Sequence, residues 1–185
     1  MERAICDTNI LKEFVLAFTN VLEKHTPYII VSGFVAIASG RTRGTEDIDM
    51  IIPPISESKF AKLHEELIVS HFVCMQSSDP VEIYEYLKEK LSVRYTWQDK
   101  PLPEMEIKFA KDEIDLYQLQ TKQKLPLTGI DVWFSSVNIN IAFKEEYLKS
   151  DKDLEDARHL RIVYSDLINE DEISYMKKLI RKLRL

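Results

Sequence analysis

The 185-residue sequence lacks the features that mark membrane, secreted and multi-linker proteins. It contains no run of 18 apolar residues, so we expect no membrane-spanning helix. Its first residues show no basic start followed by an apolar segment and a small-residue cleavage site, so we expect no secretion signal. There are only four glycines and no Gly/Ser-rich stretch that would form a flexible linker. The sequence therefore predicts a compact cytoplasmic protein.

Cysteine and net positive charge are also scarce. Cys6 and Cys74 are the only cysteines, and they form no metal-ligand pair, so we expect each to be a small buried or surface residue in a reducing compartment. Asp and Glu number 31 against 25 Lys and Arg, which gives a formal net charge of −6. This balance argues against indiscriminate binding of nucleic acid, although a local basic patch remains compatible with it.

Residues 28–53, YIIVSGFVAIASGRTRGTEDIDMIIP, carry the strongest pattern in the chain. They predict a strand, a glycine turn, a short helix, a polar loop and a second strand. An apolar strand that enters Ser32-Gly33 and then a helix is suited to binding phosphate, because glycine lets the backbone approach an anion and the helix start offers free N–H groups.

Asp47 and Asp49 lie on the second predicted strand. Residues two apart on a strand point to the same face, about 7 Å from each other along the backbone. Two buried like charges repel, and a divalent cation such as Mg²⁺ removes that cost while using the hard oxygen ligands it prefers. Asp151 and Asp153 repeat the spacing within a charged helical stretch, where a solvated surface is the ordinary interpretation.

Three motifs in this stretch, Ser32-Gly33, Arg43-x-Thr45 and Asp47-Ile48-Asp49, resemble the signature of the nucleotidyltransferase fold, the DNA polymerase beta-like superfamily. The likeness is closest to small stand-alone prokaryotic members of the abortive-infection and toxin–antitoxin type. It implies an α+β (α/β) fold with a small mixed β-sheet, flanking helices and further C-terminal helices. Ser32-Gly33 departs mildly from the Gly-Gly or Gly-Ser of many members.

The resemblance also implies roles for individual residues. Asp47 and Asp49 would bind the metal ions, and a third acid on a later strand would complete the site. Glu106 lies on a predicted strand on which Met105, Ile107 and Phe109 share the opposite face, so it is the leading candidate; Asp115 and Glu104 stay open as alternatives. Without the resemblance, Glu106 and Lys108 would be interpreted as a solvent-facing pair on an edge strand.

The resemblance assigns nucleotide binding to Ser32, Gly33, Arg43, Thr45 and Lys144. Lys144 is placed there because it precedes the stretch Lys152-Asp153…Asp156, which matches a pattern of the small nucleotidyltransferases. The alternative is an exposed helix with i,i+4 pairs such as Lys152–Asp156. We expect a catalytic core over residues 1–135 and a helical extension over 136–185, or one single domain over 1–185.

The remaining pattern predicts several further elements. Apolar spacing and capping residues predict helices over 8–25, 57–69, 80–91, from Ser135 or Ser136 to Leu148, and 170–184, and strand pairs over 92–110 and over 122–127 with 130–134.

The function implied is Mg²⁺-dependent transfer of a nucleoside monophosphate from a nucleoside triphosphate to a hydroxyl of a protein, RNA or small molecule, with two Mg²⁺ ions. The alternative is an antitoxin-like module that docks on a toxin protein with little or no catalysis. The sequence leaves open the acceptor, the base preference and the oligomeric state.

Overall fold

A computed structural model describes residues 7–185. Five strands form one mixed sheet in the order β1-β2-β5-β4-β3. The strands are β1 (Ile29–Val31), β2 (Asp47–Ile52), β3 (Phe72–Cys74), β4 (Val93–Trp97) and β5 (Lys100–Phe109). The central pair β2 and β5 is parallel, and the other neighbours are antiparallel. The parallel pair therefore aligns two strands that lie far apart in the sequence.

Eight α-helices accompany the sheet within the described residues. They are α1 (Thr8–Leu22), α2 (Gly33–Ala38), α3 (Glu57–Val69), α4 (Pro80–Lys88), α5 (Glu113–Gln120), α6 (Val137–Phe143), α7 (Asp151–Val163) and α8 (Glu170–Arg184). A π-helical segment, Lys144–Leu148, follows α6 directly. Side chains such as Asp7, Ser136 and Ser150 accept a backbone N–H at the start of their helices, which explains why these helices begin where they do. In residues 7–185 no helix is long and apolar enough to cross a membrane.

The two faces of the sheet differ in chemistry because strand side chains alternate. Ile48 and Met50 of β2 and Ile107 of β5 are fully buried in the main hydrophobic core. The opposite face carries a small apolar cluster of Ile29, Val31 and Ile51 beside the polar side chains of β2 and β5. The acidic residues are therefore excluded from the main core and collected on the other side.

Most predicted elements are present, with shorter ends. The hairpin over 92–110 is confirmed as β4 and β5, and the helices over 57–69 and 170–184 are confirmed. The first helix ends at Leu22 instead of residue 25, and α4 ends at Lys88 instead of residue 91. Cys6 lies outside the described residues, and Cys74 is a partly buried free thiol on β3.

The predicted strand pair over 122–127 and 130–134 is wrong. This segment forms only isolated bridges, from Phe134 to Gln123 and to Ile30, and a 3₁₀ turn over Pro126–Thr128. Pro126 has no N–H to give to a strand ladder, and it starts the turn instead. Gly129 ends the turn with a φ of 71°, as the predicted glycine turn requires.

The C-terminal helices pack on the rest of the protein. Helix α7 contacts α2, and α8 contacts α6 and the π-helical segment. Arg184, at the end of α8, binds Asp112 and Asp115 at the start of α5. The division of the chain at residue 135 stays a prediction.

Candidate functional site

The register of β2 and β5 places four carboxylates next to one another. Asp49 is aligned with Glu106, and Asp47 is aligned with Glu104, across two parallel strands. Neighbouring strands lie about 4.8 Å apart, so each aligned pair projects side by side from the same face. The structure thus brings together the predicted acids Asp47, Asp49 and Glu106, and it adds Glu104 at the edge of the group.

Asp49 is the most perturbed of these acids. Burial, together with the neighbouring charges of Asp47 and Glu106, raises the pKa of its carboxyl from 3.8 to about 6. The ammonium of Lys108 and a hydrogen bond from Ser32 oppose this rise in pKa but do not cancel it. In the metal-free protein the ionised Asp49 carboxylate therefore lowers the free energy of unfolding, and a bound cation would remove this cost.

Glu106 has a cationic partner in this structure. The Arg94 guanidinium on β4 donates to Glu106 Oε2 from Nη2 at 2.8 Å and from Nε at 3.1 Å, and Nε lies 3.4 Å from Glu104. Across residues 7–185, no three His, Cys, Asp or Glu side chains converge as a ready-made metal-binding group. Glu106 would have to exchange Arg94 for a metal ion to complete a site with Asp47 and Asp49.

The predicted turn lies beside these acids, at the end of β1. Val31 is aligned with Asp49, and the chain continues through Ser32 into α2. Ser32 has φ 65° and ψ −134°, a conformation that glycine adopts readily and that strains other residues by roughly 1–3 kcal/mol. Its N–H donates to Asn140 Oδ1 at 3.2 Å, which holds the turn against α6. The small departure from a glycine pair thus leaves a strained serine at the predicted site.

Gly33 is covered by the side chain of Arg43. A Cβ atom at Gly33 would lie only 2.5 Å from Arg43 Nη2, closer than real Cβ contacts come. Arg43 in turn binds Asp156 of α7, with Nε–Oδ1 at 3.1 Å and Nη2–Oδ2 at 2.8 Å. The absence of a side chain at Gly33 is therefore what makes room for this guanidinium.

Lys144 also binds the Asp156 carboxylate. Its side chain is 1% exposed, and its Nζ lies 2.9 Å from Asp156 Oδ2 and 3.5 Å from Asp153 Oδ1. Lys144 is therefore part of a buried ionic cluster, whereas the alternative interpretation placed it on an exposed helix. Asp156 is fully buried, so it does not form the surface pair with Lys152 that the alternative interpretation predicts.

The sequence analysis named Asp156 only as part of the Lys152-Asp153…Asp156 pattern and missed its role as the buried partner of Arg43 and Lys144. Its helical spacing could have indicated that Asp156 is buried, because Asp156 and Ala157 lie on the same face of the helix as the buried Leu160. An acid on the apolar face of a helix needs a buried partner, and the chain provides two.

Two other predicted residues have local roles. The Thr45 hydroxyl donates to the backbone carbonyl of Asp47 at 2.9 Å and lies 3.4 Å from its carboxylate, so it orients the first acid. Its contact with a nucleotide stays a prediction. Asp115 lies on helix α5, not on a strand, and binds Arg184 at 2.7 Å and the Lys111 N–H at 3.1 Å. These contacts favour Glu106 over Asp115 as the third acid.

A cavity of about 150 Å³ opens beside Asp49. Ser32, Asp49, Lys108 and Lys144 contribute to its wall, together with Tyr147 of the π-helical segment. It thus joins the glycine turn, the second acid and the buried lysine in one concave space, which is where ligands bind in most proteins.

The comparisons with known proteins agree with this fold. No protein-family model matches the chain, and no curated protein matches its sequence significantly. The antibiotic-resistance factor ANT(2'')-Ia has a solution structure that matches with a TM-score of 0.57 at 14% identity, over 95% of this chain and 93% of that one. An antigenic nucleotidyltransferase-like protein from Paracoccidioides brasiliensis matches with a TM-score of 0.55 at 18% identity, over 97% of this chain and 90% of that one.

These similarities establish the fold and no more, because the identities are low. The predicted α+β architecture, a small mixed sheet with flanking helices, is confirmed. The toxin–antitoxin subtype stays a prediction.

Proposed function

Because the chain has the nucleotidyltransferase fold, we propose that it transfers a nucleoside monophosphate from a nucleoside triphosphate to a hydroxyl acceptor, with Mg²⁺ as cofactor. The observation that carries this proposal is the alignment of Asp49 with Glu106 on adjacent parallel strands, next to the turn at Ser32-Gly33. Acids on rigid strands beside a turn that lets an anion approach are the arrangement that metal-assisted transfer of a phosphate group requires.

The residues that would hold Mg²⁺ are Asp47, Asp49 and Glu106. Their carboxylate oxygens are the ligands that Mg²⁺ prefers, and the raised pKa of Asp49 is the cost that a cation would offset. When bound, two Mg²⁺ ions would supply neutralisation of phosphate charge and a lowered pKa for the acceptor hydroxyl.

The chain's own side chains would hold the triphosphate. Arg43 lies over Gly33, and Lys144 lines the cavity with Ser32 and Asp49, which supports a role for both cations in binding phosphate oxygens. In the reaction the acceptor oxygen would form a bond to the α-phosphorus as the bond to the bridging oxygen breaks and pyrophosphate leaves. Such a transfer depends mostly on positioning and on electrostatic stabilisation.

The test is binding of the purified protein to each labelled nucleoside triphosphate, with Mg²⁺ and with EDTA. We expect binding that requires Mg²⁺ and is lost in Asp47→Asn. The matched control is Asp151→Asn, in the second Asp-x-Asp motif, which is exposed at the start of α7 and should bind like the wild type.

Absence of binding to any nucleoside triphosphate by the folded wild type would refute the proposal. That result would favour the alternative, an antitoxin-like module that docks on a toxin protein, and a search for that partner would follow.

A further inference from the structure

Asp156 joins two cations that come from different parts of the chain. Arg43 belongs to the loop before β2, and Lys144 begins the π-helical segment after α6. Both donate to the Asp156 carboxylate, at distances between 2.8 and 3.1 Å, and its side chain is completely buried. A buried carboxylate that holds two cations fixes their positions relative to each other, because none of the three can move without leaving an unpaired charge.

The contacts of Arg43 leave one edge of its guanidinium available. A guanidinium has five N–H donors. Asp156 takes one donor from Nε and one from Nη2, and the Gly44 carbonyl accepts one from Nη1 at 3.3 Å. One donor on Nη1 and one on Nη2 remain, and Nη2 is the atom that lies over Gly33. A pair of adjacent donors matches the spacing of two phosphate oxygens.

Lys144 is held by two acids of α7. Its ammonium has three donors, of which two are directed to Asp156 and Asp153. The residue also lines the cavity that contains Ser32 and Asp49. One carboxylate therefore holds a cation over the glycine turn and a cation in the wall of the cavity.

Other acids near this cluster are less suited to the task. Asp153 lies 3.5 Å from Lys144 and accepts from Ser150 at 2.5 Å, so it mainly supports the Ser150 cap of α7. Glu155 binds Arg41 but is exposed, and water can replace it. Arg41 Nε lies 3.5 Å from Asp156 without forming a hydrogen bond. Within residues 7–185, Asp156 alone binds both Arg43 and Lys144 from a buried position.

We propose that Asp156 is a positioning residue that holds Arg43 and Lys144 in the geometry needed to bind the phosphates of a nucleoside triphosphate. This inference rests on the proposed function. Asp156 does not itself contact the nucleotide. It acts by setting the distance between the guanidinium over Gly33 and the lysine in the cavity wall.

The experiment measures the dissociation constant of the folded protein for nucleoside triphosphate with Mg²⁺, in Asp156→Asn and Asp156→Glu. We expect the constant to rise at least tenfold in Asp156→Asn. Asp156→Glu keeps the charge, but its extra methylene shifts the carboxylate relative to Arg43 and Lys144. We therefore expect weaker nucleotide binding in this variant too. Asp151→Asn, on the same helix, should bind like the wild type.

A double-mutant cycle separates positioning from general stabilisation. If Asp156 acts through Arg43, then Asp156→Asn should weaken binding much less in an Arg43→Gln background than in the wild type. A residue with a purely structural role would lower the melting temperature and leave the dissociation constant of the folded protein unchanged.

The outcomes are distinct. Wild-type binding together with unchanged binding by folded Asp156→Glu and Asp156→Asn would overturn this inference and leave the proposed function intact. If Asp156→Asn does not fold, Asp156→Glu decides. A wild type that binds no nucleoside triphosphate would refute the proposed function, and this inference with it.

Discussion

Replacing Asp49 with Asn is expected to stabilise the metal-free protein while abolishing Mg²⁺-dependent nucleotide binding. The reason is the environment of the carboxylate, which is buried next to the charges of Asp47 and Glu106. Asparagine has nearly the same shape but carries no charge, so it removes the desolvation cost and the repulsion together. The gain in the free energy of unfolding would measure how much the uncompensated charge of Asp49 destabilises the fold.

The magnitude follows from the raised pKa of Asp49. In the unfolded chain the carboxyl ionises near 3.8, and in the folded protein near 6. Between these values the folded state binds more protons than the unfolded state, so the free energy of unfolding falls as the pH rises through this window. Two pKa units correspond to about 3 kcal/mol at neutral pH, and this net value already includes the opposing interactions of Lys108 and Ser32, so we expect a gain of up to about 3 kcal/mol.

The assay is urea unfolding in EDTA at pH 7 and at pH 4, for the wild type, Asp49→Asn and Asp99→Asn. Asp99 is exposed in the turn between β4 and β5, so its variant is the matched control. At pH 7 only Asp49→Asn should gain stability, which for this chain length corresponds to roughly 2–4 °C in melting temperature per kcal/mol. At pH 4 most of the gain should disappear.

Two results would refute the reasoning. One is an Asp49→Asn variant no more stable than the wild type at pH 7, and the other is a gain of equal size at both pH values. Addition of Mg²⁺ extends the test: it should raise the melting temperature of the wild type and leave that of Asp49→Asn unchanged, because only a ligand that binds the folded state stabilises it.

Further predictions concern the turn and the third acid. Ser32→Gly should raise the free energy of unfolding by about 1 kcal/mol in a denaturant titration, since glycine adopts the observed φ of 65° without strain; a loss of stability would contradict the strained conformation. Glu106→Gln should abolish Mg²⁺-dependent nucleotide binding with little change in stability. Asp115→Asn should retain binding but lose roughly 3 kcal/mol, because it breaks a buried pair with Arg184; the opposite pattern would identify Asp115 as the third acid.

The sequence predicted the parts of the site that local patterns encode. Alternation of apolar and acidic residues placed Asp47 and Asp49 on one face of β2, and Glu106 and Lys108 on one face of β5. Local sequence patterns do not specify the register that aligns Asp49 with Glu106. That pairing joins residues 57 positions apart, and it depends on the packing of the whole sheet.

Long-range ionic contacts were likewise beyond local patterns. Asp156 belongs to a stretch rich in charge, where an exposed helix is the ordinary expectation, and its partner Arg43 lies more than a hundred residues earlier. The strand prediction for residues 122–134 was wrong for a different reason. Their apolar content is typical of strands, but Pro126 and the turn that ends at Gly129 leave too few residues for a ladder.

The distribution of ion pairs indicates where a cation would bind. Glu106 and Glu104 are neutralised by Arg94 on one side of the acids, and Asp156 is neutralised by Arg43 and Lys144 on the other. Within residues 7–185, Asp47 and Asp49 form no ion pair, and Asp49 is the acid whose pKa is raised to about 6. A cation at these two acids would then attract Glu106 away from the half-exposed Arg94, which loses little by returning to water.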